Sequence, residues 1–235
     1  MLEFITKYFN FISYGFELFA MITALFSIRK YRGTSTIIFV YYIIYVVFVE
    51  AIGATFFYYR SFLVTRFLIN IGFNSTAWYN LFWMFGSILF MMYYIYNLLN
   101  NKKTKIILKA ISVLFVLIIL GHFFIYPQVF FKEHHAIYQL SGALVMLICV
   151  ALYLLEFIKS DVISKAFNTF SFYALSALLI WWLLVTPILL FDVYNTDSDW
   201  DFVYLKRRVF VFANIFMYTC FAIGLIVSKP KYKNE

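Results

Sequence analysis

Two carboxyl side chains stand where charge is costly. Glu17 falls inside an apolar run over residues 8–28, and Glu50 inside one over 34–58. On insertion scales an ionised acid at mid-bilayer costs about 2.5 to 3.5 kcal/mol, so a membrane acid marks a proton, a cation or a hydrogen-bonding partner. At about 1.5 Å of helix rise per residue, both sit about 12 to 15 Å below the same surface. The helical period gathers Asn10, Ser13, Tyr14, Ala20 and Ala24 around Glu17, a polar and small stripe that must face protein. Gly53 and Ala54 lie one turn beyond Glu50, and small residues of this kind let helices approach closely. His122, Ser141, Thr186 and Asn214 fall in the same half of the bilayer, and Pro187 frees a carbonyl one turn earlier. Trp181 and Trp182 lie near mid-span, away from the interfacial belt where Trp collects. The candidate ligand or proton site is therefore Glu17, Glu50, Tyr14, His122, Trp181 and Asn214. In the competing reading both glutamates are hydrogen-bonded to Tyr and Asn and only tie helices together, and His122 is an interfacial histidine.

The elements that must position these residues are membrane helices. The chain has 235 residues, 65% apolar, 24% aromatic and only 13% charged, far from the composition of a soluble domain. Spans of about 20 apolar residues read out at 8–28, 34–58, 79–99, 106–126, 137–158, 168–191 and 209–228, with no strand-like alternation of the kind a barrel needs. The fold class is all-α: one polytopic domain of seven transmembrane helices over 1–235. The stretch 60–71 carries Phe62, Leu63, Phe67 and Leu68 but also Arg60 and Arg66, which suits an external interfacial helix better than a span. The first run lacks a basic cluster before it and a cleavage site after it, so it reads as a retained helix.

Orientation follows from basic residues. Twelve Lys and Arg fall in the connections after spans one, three, five and seven, and seven fall on the other side with six acids beside them. The N-terminus is expected outside and the C-terminus inside the cytoplasmic (inner) membrane. The net charge of +8 is thereby a topology signal and an attraction to anionic lipid, with no nucleic-acid partner implied.

Other motifs point away from specific chemistries. Phe210 to Val227 contains no lysine for a retinal Schiff base, and the three histidines His122, His134 and His135 do not supply the ligand set of the seven-helix zinc hydrolases. No phosphate loop, nucleophile elbow or Cys-rich metal spacing occurs, so no cofactor and no metal are expected. Asp197-Ser198-Asp199-Trp200-Asp201 begins like a calcium loop, but Phe202 and Arg208 occupy the places of its Gly and Glu. It reads as a solvated loop whose acids pair with Lys206, Arg207 and Arg208. His134 and His135 read as solvated, and Glu156 as an ion-pair partner of Lys109. Asn74-Ser75-Thr76 is a glycosylation triplet of a kind that arises often by chance. Cys149 and Cys220 lie inside spans and act as small apolar residues.

The architecture, with its Lys-rich tail Ser228-Lys229-Pro230-Lys231-Tyr232-Lys233, resembles the short heptahelical membrane proteins of unassigned function found in A/T-rich bacteria. That resemblance implies a multi-pass fold and no particular activity. The leading expectation is a non-enzymatic integral membrane protein, a ligand sensor or the membrane subunit of a larger assembly, with the bilayer and a separate protein as partners. A proton- or ion-coupled carrier using Glu17 and Glu50, and a lipid enzyme pairing Glu50 with His122, are the alternatives.

Overall fold

The structure is a computed structural model that describes residues 8–132, 136–160, 166–192 and 199–230. Regular structure among them is helical. The elements are α1 (Phe9–Tyr31), α2 (Thr36–Tyr58), α3 (Leu63–Asn70), α4 (Ser75–Leu98), α5 (Lys102–Ile125), α6 (Pro127–Lys132), α7 (Ala136–Ile158), α8 (Phe170–Asp192) and α9 (Trp200–Val227). Seven of them are long and apolar enough to cross a membrane, as helices must because only they satisfy their own backbone in lipid. The chain is a multi-pass membrane protein.

Six of these helices close a ring. α1 packs on α2, α2 on α4, α4 on α7, α7 on α8, α8 on α9, and α9 back on α1. α5 stands outside it against α4 and α7, and its many exposed apolar side chains, Val113, Leu117 and Phe124 among them, suit a lipid-facing position.

The largest departure from the sequence reading is in α9, which begins at Trp200 rather than near 209. Charge ends an apolar run but does not end a helix, since Lys and Arg are good helix formers. Asp199 caps the new start by accepting from the Phe202 backbone N–H at 3.2 Å, with Asp201 in the first turn. The segment read as a solvated loop therefore becomes a cap and a first turn from Asp199 onward. Asp197 and Ser198 lie outside the described residues, as do His134 and His135.

α4 is not a uniform α-helix. Tyr79–Gly86 is wound as a π-helix between two α segments. The wider turn is held from outside: the Tyr45 hydroxyl donates to the Phe82 carbonyl at 2.6 Å, Trp78 Nε1 to the Val49 carbonyl at 2.9 Å, and Asn80 Nδ2 to the Phe130 carbonyl at 2.8 Å. π segments recur at functional sites because they re-aim side chains. Asn74 caps this helix through the Ala77 N–H and also donates to the Phe131 carbonyl, so the amide of the glycosylation triplet is already engaged.

Candidate functional site

A cavity of about 680 Å³ opens between the ring helices at the end where α1 and α9 begin and α2 finishes. Hereafter it is the vestibule. Glu17 and Glu50 both line it, with Tyr14, Trp181 and Asn214. Five of the six residues expected from sequence thus converge on one space.

Helix geometry explains the convergence. Glu17 is eight residues past Phe9 and Glu50 eight before Tyr58, and Phe9 and Tyr58 both line the vestibule as well. Eight residues of rise place each carboxyl about 12 Å below those positions. The two carboxyls line the same space. Glu17 is 5% exposed and meets the Tyr218 hydroxyl from α9. The Tyr79 hydroxyl, carried by the π segment of α4, donates to Glu50 Oε2 at 3.0 Å. Among the described residues neither carboxyl is paired with Lys or Arg. The partners given to these acids are neutral hydroxyls, which donate hydrogen bonds but bring no positive charge.

Tyr79 reaches Glu50 because residue 53 is glycine. A Cβ built there would collide with the Tyr79 hydroxyl and Cζ. The small residue seen one turn beyond Glu50 thus admits an aromatic ring, where the sequence reading placed a close helix approach.

The side wall is aromatic and polar. Trp181 Nε1 donates to Asn214 Oδ1 at 2.7 Å, joining α8 to α9, and the Trp181 ring lies 6.1 Å from that of Trp83 and 6.2 Å from that of Phe210. Lys206 and Arg207 stand nearer the mouth, with the Arg207 guanidinium 5.0 Å over the Phe9 ring. These two bases belong to the stretch expected to be loop, which is why the sequence reading left them out of the site. Tyr79, Tyr218 and Trp83 were also missed. No local pattern separates three aromatics among 56 from those that merely pack.

His122 is the residue the structure does not bring in. Its Nδ1 lies 2.8 Å from the Tyr138 hydroxyl and its ring 5.3 Å from that of Tyr126, while it is not part of the vestibule wall. Chain order, not proximity, put it in the same half of the bilayer. Ser141 and Thr186 likewise donate to carbonyls of their own helices, Ile137 and Trp182. Glu156 is also corrected. Its Oε1 accepts the backbone N–H groups of Asn100 and Asn101 at 2.6 and 3.1 Å, whereas Lys109 stands 5.2 Å over the Tyr96 ring.

Beneath the carboxyls the ring closes. A second space of only about 40 Å³ shares Trp83, Trp181, Met217 and Tyr218 with the vestibule. Below it Phe39 makes edge contacts with Tyr94, Phe170 and Phe221 at 5.1, 5.0 and 4.9 Å. All four of these rings are buried. Among the described residues these rings close the bundle beneath the polar space. Among the described residues no three His, Cys, Asp or Glu side chains gather as a metal would require. Comparison with protein-family models, curated proteins and solved structures finds no match.

Proposed function

We propose that this is a non-enzymatic ligand-binding protein of the membrane, whose vestibule takes a small molecule bearing an ammonium group. The observation that carries this reading is the pair of carboxyls, Glu17 and Glu50, that share one aromatic-lined cavity with no basic partner among the described residues. Its volume of about 680 Å³ lies within the usual range for small-molecule sites. Two carboxyls sharing a low-dielectric space are held as carboxylates only with a positive charge beside them, which an ammonium group supplies. Aromatic faces such as those of Trp83 and Trp181 favour the same charge. His122 stands apart from the carboxyls, which removes the support for a lipid enzyme built on Glu50 and His122.

The vestibule faces the outside in this reading. Arg29, Lys30, Arg32, Lys102, Lys103, Lys105 and Lys109 cluster at the opposite end of the bundle, as the retention of basic residues in the cytoplasm requires. Helix α3 belongs at the outer headgroup level. Phe62, Leu63 and Phe67 are exposed, while the buried Thr65 ties it to α2 through the Thr55 hydroxyl at 2.6 Å. A sensor this small passes its signal to a separate protein.

The test is fluorescence titration of the chain in lipid nanodiscs with tetramethylammonium and butylammonium, since Trp83 and Trp181 line the site. Saturable change is expected, lost in Glu17→Gln and Glu50→Gln variants that keep the parent's helical circular dichroism. No saturable response, or unchanged affinity in both variants, would overturn the reading. A carrier is the second reading, favoured by the small space that continues beneath the vestibule. It requires the bound ammonium to appear inside proteoliposomes, whereas a sensor leaves it outside.

A further inference from the structure

The vestibule has a charge gradient along its axis, and that gradient narrows the class of ligand. Resting on the ammonium-site reading above, we infer that the ligand is an elongated zwitterion, of the class of a linear peptide of three or four residues with free termini. Its ammonium end lies at Glu17 and Glu50 and its carboxylate at Arg207.

Position and distance carry the argument. Arg207 is held at the level of Phe9 by the 5.0 Å placement of its guanidinium over that ring. A guanidinium seated on an aromatic face still offers its edge N–H groups, the geometry that accepts a carboxylate in bidentate fashion. Glu17 lies eight residues further along the same helix, so the negative floor and the positive rim are separated by about 12 Å of helix rise. An extended chain covers at most about 3.3 to 3.6 Å per residue, so 12 Å corresponds to three or four residues. A compact amine such as a free amino acid reaches one pole or the other. A bare cation would meet a basic rim at the entrance with nothing to gain from it.

The middle of the path fits a peptide as well. Between the poles stand Trp181, with its N–H already given to Asn214, and the Phe210 ring 6.2 Å from it. Together with Trp83 they offer flat apolar surface for side chains, and Gln139 and Asn10, which also line the cavity, carry amide groups able to bond peptide N–H and C=O.

The experiment uses oligoalanine peptides of two to six residues as rulers, each as the free acid, as the C-terminal amide and as the N-acetyl form. They are titrated against the full chain in nanodiscs with butylammonium alongside. The free tri- and tetrapeptide acids are expected to bind at least tenfold tighter than their amides and than the di- and hexapeptide acids. Arg207→Gln is expected to bring the free acids down to the affinity of the amides, and Arg207→Lys to restore part of the difference. Acids and amides of equal affinity, or butylammonium binding without any peptide binding, overturn this inference and leave the ammonium site standing. N-acetylated peptides that bind as well as free amines overturn the ammonium site itself. The comparison of acid with amide is made on one unaltered protein, so it holds even if a variant folds poorly.

Discussion

The two ends of the six-helix ring solve opposite problems with the same helices. At the vestibule end, α1, α2, α4 and α9 hold open a polar space, with tyrosine hydroxyls spent on carboxyls and a π turn bringing Tyr79 inward. At the other end the same four helices close on rings together with α8, which also lines the vestibule through Trp181. Phe39 is fully buried among Tyr94, Phe170 and Phe221, and Gly224 lets α9 approach so closely that a Cβ would strike Tyr173. Lys30 and Tyr31 seal that end by donating to the Leu225 and Ile226 carbonyls of α9 and to that of its cap, Ser228. The difference teaches where stability and function are stored. Lipid tails are as apolar as the core, so helix association in a membrane rests on packing and hydrogen bonds, and the packed end supplies the first while the open end directs the second to the carboxyls of the vestibule.

The strongest way to break this division is Phe39→Ala. It removes a buried ring from three edge contacts, and truncations of this kind cost about 3 to 5 kcal/mol. The midpoint of denaturation in mixed micelles should fall accordingly. Ammonium affinity per folded molecule should hold, because none of the four rings lines the vestibule. A loss of affinity in the folded fraction would mean that the plug shapes the site.

Next in size is Glu50→Leu. The part-buried Tyr79 hydroxyl loses its bond to Glu50, a loss of about 1 kcal/mol or a little more, whereas Glu50→Gln keeps an acceptor and should cost less than about 1 kcal/mol by the same reasoning. Binding should vanish in both. Equal stability of the Leu and Gln variants would show that Tyr79 does not depend on Glu50.

How much of this was legible beforehand follows the same division. Spans one to six lie within a few residues of their expected ends, because a run of lipid-compatible residues has only one way to satisfy its backbone. Glu17, Glu50, Tyr14, Trp181 and Asn214 were readable as a group because polar residues at one depth in lipid must face protein. The start of α9 was not, since Lys206 to Arg208 interrupt an apolar run without interrupting a helix, and the rim of the site went with it. Tyr79 was invisible for another reason. A π segment shifts the helical phase, so a residue's face can no longer be counted at 3.6 per turn. His122 erred in the opposite sense, since depth alone carries no information about direction around the ring.

Gly53→Ala tests the phase argument directly. Alanine is favoured over glycine in a helix by about 0.8 to 1.0 kcal/mol, and overpacking costs about 1 to 3 kcal/mol. The atoms struck are the far end of the Tyr79 side chain, which can swing, so the two effects nearly offset and the net change in stability should stay near 1 kcal/mol or below. The Tyr79 hydroxyl must then leave Glu50, and ammonium affinity should fall several-fold while the denaturation midpoint hardly moves. Unchanged affinity would mean that the hydrogen bond to Glu50 plays no part in holding the ligand.

The smallest effect belongs to Lys30→Met, and its value lies in what α9 connects. Lys30 donates to the Leu225 and Ile226 carbonyls at 2.8 Å each, answering carbonyls that a helix C-terminus leaves without intrahelical partners. A cation there is worth about 0.3 to 1 kcal/mol. Part of that survives the substitution, because the Tyr31 hydroxyl still reaches Leu225 and Ser228 at 3.0 Å. The midpoint should therefore drop only slightly. α9 also carries Arg207, Asn214 and Tyr218 into the vestibule, so it touches both the vestibule and the sealed end, as α1 does through Glu17 and Lys30. If the plug holds α9 rigidly, ammonium affinity should be the same in Lys30→Met as in the parent. A shift of threefold or more, from a side chain at the far end of the helix, would show that α9 moves as a unit between two positions. It would then be the element through which occupancy of the vestibule reaches the opposite face.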